Sequence, residues 1–152
     1  MAAPLEHVKY VAITPPAALI DNASATTAEI DTQGWDYLTI VAHLGATDIA
    51  MTALKVTESD TTGSGHADVT GLVYGTSTDI DGSTSALPTA TDDNGFFVFN
   101  IDLRARKRFI DVTATVGDGT SGAYLTIIGI LSRGDTAPTS VSGMGATGVL
   151  QH

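Results

Sequence analysis

Hydrophobic and polar positions alternate along three consecutive runs within residues 94–133, and short polar breaks separate the runs. Residues 96–103 and 109–116 each carry an apolar residue at every second position, which is the period of a half-buried strand. Residues 123–131 are apolar at both sets of positions. This third run predicts a strand covered on two faces, by a packed sheet, a terminal arm or another subunit.

Further runs earlier in the chain also have strand character, at residues 7–13, 26–32, 36–44, 49–58 and 69–75. Pro15 and Pro16 end the first of them. Residues 49–58 contain good helix formers but hold no helical apolar stripe, so we predict a strand there. The turn at residues 45–48 favours a hairpin between this strand and the one before it. Gly71 predicts a bulge in the last run.

These elements predict an all-β protein, a two-sheet antiparallel sandwich of jelly-roll type with extended terminal arms. The domain boundaries follow, with an N-terminal strand or arm at 1–16, the sandwich at 17–135 and a C-terminal arm at 136–152. Residues 76–94 form a long polar loop of the kind that is functional, mobile or held by a partner. The predicted core is Leu38, Ile40, Phe97, Phe99, Ile110, Val112, Leu125 and Ile127.

Composition narrows the function classes. The 152 residues make one domain with a sizeable core, and the absence of Cys excludes disulfides and thiolate metal sites. A formal charge of −10 repels the phosphate backbone, so we expect no nucleic-acid partner. No run approaches the length of a membrane span, and we expect no membrane partner.

No catalytic residue, cofactor site or metal site is predicted. The four histidines, His7, His43, His66 and His152, are isolated in sequence and lack metal-ligand spacing. The segments Asp79-Ile80-Asp81-Gly82 and Asp92-Asp93-Asn94-Gly95 could pool oxygen ligands for Ca²⁺, but Asp-Gly and Asn-Gly pairs are first of all turn formers.

Four of the seven basic residues form a cluster in one connection between strands: Arg104, Arg106, Lys107 and Arg108. Two interpretations stay open, internal pairing with Asp102 and Asp111 or docking onto an acidic protein surface. Trp35 and Tyr37 are likewise core or interface residues. The last segment, 136–152, has no charged side chain and ends near Val149-Leu150, which predicts an arm lying on a neighbouring subunit or partner.

The stretches GWDYLTIVAHLGATDIAMTALKVTESD and NGFFVFNIDLRARKRFIDVTATVGDGTSGAYLTIIGILSR resemble the small β-sandwich decoration, or cement, proteins of tailed bacteriophages. The resemblance implies a non-enzymatic virion protein, made in the host cytoplasm, that binds the outer capsid surface as a homotrimer. Its partner would be the major capsid protein, whose subunits it would bridge. The residues expected at the capsid or subunit interface are Trp35, Tyr37, Arg104, Arg106, Lys107, Arg108, Val149 and Leu150.

A second function class stays open from the residues themselves. A carbohydrate-binding β-sandwich would use Trp35, Tyr37 or Tyr74 as a sugar platform and the Asp-rich loop for Ca²⁺.

Overall fold

A computed structural model describes residues 7–17 and 19–150, and this part of the chain contains eight β-strands and one short 3₁₀ helix. The described part of the chain contains no helix that is long and apolar enough to cross a membrane. The strands are β1 (Val8–Thr14), β2 (Ile30–Asp31), β3 (Trp35–Thr47), β4 (Met51–Ser59), β5 (Ala67–Val73), β6 (Phe96–Asp102), β7 (Phe109–Val116) and β8 (Ala123–Gly134), with the 3₁₀ helix at Leu103–Ala105.

The strands form two four-stranded sheets, in the orders β1-β8-β3-β6 and β2-β7-β4-β5, and every pairing is antiparallel. Each sheet takes strands from both halves of the chain, and most connections cross from one sheet to the other. This strand order is the jelly roll, two Greek keys folded into a sandwich. The predicted fold class is confirmed.

The inner faces of the two sheets make the core. All eight predicted core residues contribute to it, although Phe97 is only partly buried, whereas Phe99 is 4% exposed. Gly129 lies on the inner side of β8, where an added Cβ would meet Ile13, Ile30 and Leu38. A glycine here therefore gives the two-residue strand β2 room to insert Ile30 between the sheets.

The strand prediction for residues 49–58 is confirmed by β4, but the hairpin prediction is wrong. β3 continues through residues 45–47 and pairs with β6 and β8, while β4 pairs with β5 and β7 in the opposite sheet. The chain changes sheet at Asp48, whose carboxylate accepts the backbone N–H groups of Ser121 at 2.7 Å and Gly122 at 2.8 Å. Gly71 has φ +89° within an irregular part of the β4–β5 pairing, which confirms the bulge.

The long loop at 76–94 is held by its own chain. Pro88 is fully buried, and its carbonyl oxygen accepts the Met51 N–H at 2.9 Å. Ser85 is also buried, and its hydroxyl donates to the carbonyl oxygen of Ser77 at 2.7 Å. The polar residues of this loop therefore serve its internal turns.

The two terminal segments meet at one edge of the first sheet. β1 is the edge strand there, so residues 8–14 belong to the sandwich, while residues 1–6 lie outside the described part. The Tyr10 N–H donates to the carbonyl oxygen of Met144 at 2.8 Å, and Met144 is buried. The described part of the C-terminal segment thus covers the free edge of β1 in the same chain.

Candidate interaction surfaces

The charged end of the sandwich brings together most of the predicted interface residues. The first residues of β3 and β7, the last residues of β4, β6 and β8, and the 3₁₀ helix all lie at this end. Here lie Trp35, Tyr37, Arg104, Arg106, Lys107, Arg108 and Arg133. Val149 is half-buried and Leu150 is fully exposed in the C-terminal segment. That these two residues and the charged end lie at an interface stays a prediction.

Each of the four clustered basic side chains has a carboxylate partner in the chain. Arg104 makes a two-point contact with Asp102 at 2.9 and 2.6 Å, and Arg108 makes another with Asp31 at 2.9 and 2.8 Å. Arg106 Nη1 lies 3.4 Å from Glu58 Oε1, and Lys107 Nζ lies 3.4 Å from Asp60 Oδ2. Internal pairing is therefore confirmed, with Asp102 as one predicted partner.

Asp111, the other predicted partner, is not among the four carboxylates that pair with the basic cluster, so the predicted pairing with Asp111 is wrong. Its side chain lies on the outer face of β7, where Asp111 Oδ1 accepts the N–H of Val112 at 2.7 Å. The basic residues lie instead between β6 and β7 and reach carboxylates at the ends of β2, β4 and β6.

These pairs hold the local charges in place. The side-chain hydrogen bond from Arg104 lowers the pKa of Asp102 to about 2, and the bond from Arg108 lowers the pKa of Asp31. Both pairs are about half exposed, so solvent screens them and each contributes little to stability on its own. Their main effect is to place basic and acidic side chains next to one another, so that the surface at this end is nearly neutral.

The aromatic residues of the charged end are not free platforms. The Tyr37 ring lies under two guanidinium groups, with Arg104 Cζ at 5.3 Å and Arg133 Cζ at 5.6 Å from the ring centroid. The Trp35 ring packs against Gly134 and is partly buried against the core. Tyr37 and Trp35 therefore do not form a flat surface on which a sugar ring could stack.

The opposite end of the sandwich is acidic. Its loops, at 15–28, 48–50, 74–95 and 117–122, contain seven aspartates and no Lys, Arg or His: Asp21, Asp48, Asp79, Asp81, Asp92, Asp93 and Asp118. Asp79 and Asp92 act as turn formers, since Asp79 accepts the N–H groups of Asp81 and Ser83 and Asp92 accepts the N–H of Thr89. Within the described residues, no three His, Asp or Glu side chains are grouped as metal ligands would be.

On the outer face of the first sheet, which we call the apolar outer face, one apolar row crosses all four strands, next to a row that includes the hydrogen-bonded polar pair Thr39 and Asn100. The antiparallel register aligns Ala12, Ile128, Val41 and Val98 in one row. Four large side chains on this face are exposed, Phe96 at 66%, Tyr124 at 50%, Ile128 at 42% and Val98 at 40%. Exposed apolar patches of this kind are often functional surfaces.

Only part of this apolar outer face is predictable from the alternation of residues. The second apolar side of β8 was predicted, but β6 was predicted to have one buried side, and Phe96 and Val98 were not singled out. The signal was present in the run FFVF at 96–99, which is apolar at both sets of positions. His43 stacks on Phe96 with ring centroids 4.4 Å apart, an arrangement that joins β3 to β6 on this face.

Two concave features adjoin the apolar outer face. An open groove of about 490 Å³ lies between β5, the loop after it and the edge strand β6, and Tyr74, Asp79, Ile80 and Phe96 are among its lining residues. A smaller hollow of about 160 Å³ is lined by Pro16, Ala17, His43, Gly45, Tyr124, Leu125 and Thr126. The hollow and the exposed Phe96 ring thus lie beside the same histidine.

The remaining histidines are separate from one another. His66 Nε2 lies 3.0 Å from Glu29 Oε2, although the geometry is too poor for a hydrogen bond. His152 lies outside the described residues.

Comparisons with known proteins bear on the fold. The chain matches no protein-family model, and it matches no curated protein sequence. A solved structure with a similar fold is the SPBc2 prophage-derived protein YomS, which is 12% identical. The match covers 88% of this chain and 99% of that chain, with a TM-score of 0.50.

Proposed function

We propose that the protein is a bacteriophage virion component that binds the outside of the capsid and bridges capsid subunits. Its function is structural and non-enzymatic, and its partners are the phage major capsid protein and further copies of itself in a homotrimer. The observation that carries this proposal is the apolar outer face of the first sheet. Four large apolar side chains exposed on one sheet form a surface that a protein partner would cover, which supports the proposal.

Two further observations support a phage role. The chain resembles decoration proteins over much of residues 34–133, and its fold is similar to that of a prophage-derived protein.

The charged end is the proposed capsid-docking surface. It holds Tyr37 with its two guanidinium neighbours and the paired basic cluster, whereas the opposite end carries seven aspartates without a basic residue. An acidic capsid surface would repel the aspartate-rich end much more strongly than the charged end, whose basic side chains are paired, and this difference orients the protein on the shell. Binding at many identical positions would let modest contacts reinforce the shell, since each trimer engages several subunits.

A pelleting assay tests this proposal. Purified protein is mixed with capsids assembled from the major capsid protein of the same genome, and the bound fraction is measured at rising salt. We expect saturable binding that weakens in a double variant, Arg104→Ala with Arg133→Ala, and that is retained in the matched variant Lys55→Ala on the opposite sheet. Absence of binding, together with saturable binding on a glycan array, would favour the carbohydrate-binding function instead.

A further inference from the structure

We propose that the apolar outer face of the first sheet is a contact between copies of this chain, in which Phe96 of one copy occupies the hollow beside Tyr124 of the next. The threefold symmetry of this contact rests on the homotrimer in the proposed function. The contact itself does not depend on capsid binding.

Phe96 supplies the projecting side of the contact. It begins the edge strand β6, its side chain points to the outer face, and His43 supports one side of the ring. The ring is nevertheless 66% exposed, which is a costly position for an aromatic side chain that has no partner. A ring that stacks on a neighbour on one side and is open to solvent on the other is available as an interface anchor.

The hollow supplies the receiving side. It measures about 160 Å³, and its lining contains no acidic residue, no Lys and no Arg. An apolar cavity of roughly 150 Å³ is enough to take up benzene. The hollow is therefore large enough for one aromatic ring.

Charge favours a second copy as the occupant. The chain carries a formal charge of −10, so most of its surfaces repel another copy. The outer face of the second sheet carries Asp111 and the ion pair of Lys55 with Asp68, and the acidic end carries seven aspartates. The rows across the apolar outer face from Tyr10 to Thr126 contain no charged side chain, so two copies approach there without placing carboxylates together.

The area of the apolar outer face sets the expected strength of association between copies. Four strands about 4.8 Å apart, each contributing roughly six residues, present about 400 Å². A standard interface buries about 800 Å² per partner, so this face supplies about half of one. We therefore expect association that depends on protein concentration and not a permanent oligomer. Because the ring and the hollow both adjoin His43 on one face, two facing copies can exchange both contacts about a twofold axis, whereas a threefold ring needs each copy to offer its ring to one neighbour and its hollow to another.

Site-specific photo-crosslinking tests the contact. Azidophenylalanine in place of Phe96 keeps a single aromatic ring at the position, and irradiation of a mixture with isotope-labelled wild type identifies bonds between different copies. We expect intermolecular products at the hollow, on Pro16, Ala17, Tyr124 or Thr126. The same reagent in place of Thr113, on the outer face of the second sheet, should give no such products. Intermolecular products elsewhere, or none, would overturn the proposal.

Sedimentation velocity over a hundredfold concentration range supplies a second readout. Phe96→Asp should remove association while leaving the melting temperature within a few degrees, and Thr113→Asp should leave association unchanged. If Phe96→Asp associates like the wild type, the contact is wrong. A crosslinked dimer that never reaches a trimer would support the contact and contradict the threefold part of the proposed function, whereas loss of capsid binding alone would leave the contact standing.

Discussion

The hydroxyl of Tyr74 binds both backbone polar groups of Val98. Tyr74 Oη donates to the Val98 carbonyl oxygen and accepts from the Val98 N–H, at 3.0 Å in each case. Its ring meets Phe97 and Phe99 edge-on, with centroids 5.5 and 5.1 Å apart. Because Tyr74 follows β5 and Val98 lies on the free edge of β6, this contact joins the two sheets and covers part of an edge open to further strand pairing.

Replacing Tyr74 by Phe removes these two hydrogen bonds and keeps the ring. We expect the free energy of unfolding to fall by about 1 kcal/mol, since water replaces the hydroxyl at the partly exposed Val98 backbone. Urea unfolding measures the loss. Tyr124→Phe is the matched control, because the exposed Tyr124 hydroxyl has no hydrogen bond in the described residues, and its effect should be near zero. Equal effects of the two changes would contradict the role of Tyr74.

Phe99 and Phe96 test the assignment of faces on β6. Phe99→Ala should destabilise the protein by about 3–5 kcal/mol, because it removes a buried ring from the core. Phe96→Ala on the outer face should change the free energy of unfolding of the monomer by much less. Chemical denaturation at low protein concentration compares them, and a near-neutral Phe99→Ala would mean that the inner face is wrongly assigned.

Lowering the pH should remove the contribution of the Asp48 carboxylate to the stability of the fold. Backbone hydrogen bonds from Gly122 and then Ser121 lower the pKa of Asp48. A lowered folded-state pKa gives stability that is present above the unfolded value, near 4, and lost as the pH falls through the folded value. Asp48→Asn should therefore melt lower than wild type at pH 7, and the difference should shrink below pH 4.

Thermal melts from pH 7 to pH 3 measure this difference. Asp118→Asn, at the same end of the sandwich, is the control. A gap between wild type and Asp48→Asn that stays constant down to pH 3 would contradict the role of the Asp48 carboxylate.

Gly145 tests how the C-terminal segment is held. It has φ +68°, and an added Cβ would collide with the backbone oxygen of Tyr10. Gly145→Ala should therefore detach the segment from β1 and speed hydrogen exchange at the Tyr10 amide, which donates to Met144. Gly148→Ala, where the added Cβ meets nothing, should leave that exchange unchanged. Unaltered exchange in both variants would show that the segment does not protect the edge.

Deleting residues 136–152 tests the predicted arm. If the arm also lies on the capsid, the truncated protein should lose retention on capsids in a pelleting assay. Its melting temperature should fall modestly, because the β1 edge loses the cover given by Met144. Unchanged capsid affinity would show that the segment serves only its own chain.

The strands were predictable where one face is buried, because alternation then marks the buried side, as at Ile110 and Val112. The sheet that each successive strand joins was not predictable. The turn after β3 has ordinary hairpin composition, but the aspartate within it, Asp48, accepts hydrogen bonds from the loop before β8 at the point where the chain crosses to the other sheet. Local turn chemistry does not encode which sheet receives the next strand.

The candidate surfaces were predictable in part for a similar reason. Clustering of basic residues is visible in the sequence, but their partners Asp31, Glu58 and Asp60 are distant along the chain and become neighbours only in the fold. The apolar outer face likewise forms only when β1, β8, β3 and β6 align in register. No single strand carries enough of it to be recognised alone.

Cryo-electron microscopy of the virion encoded by the same genome tests the central claim most directly. We predict jelly-roll density on the outside of the shell, clustered in threes where capsid subunits meet, with the charged end towards the capsid and the aspartate-rich end towards solvent. An outer shell without this density, in particles whose other structural proteins are all accounted for, would contradict the proposed function.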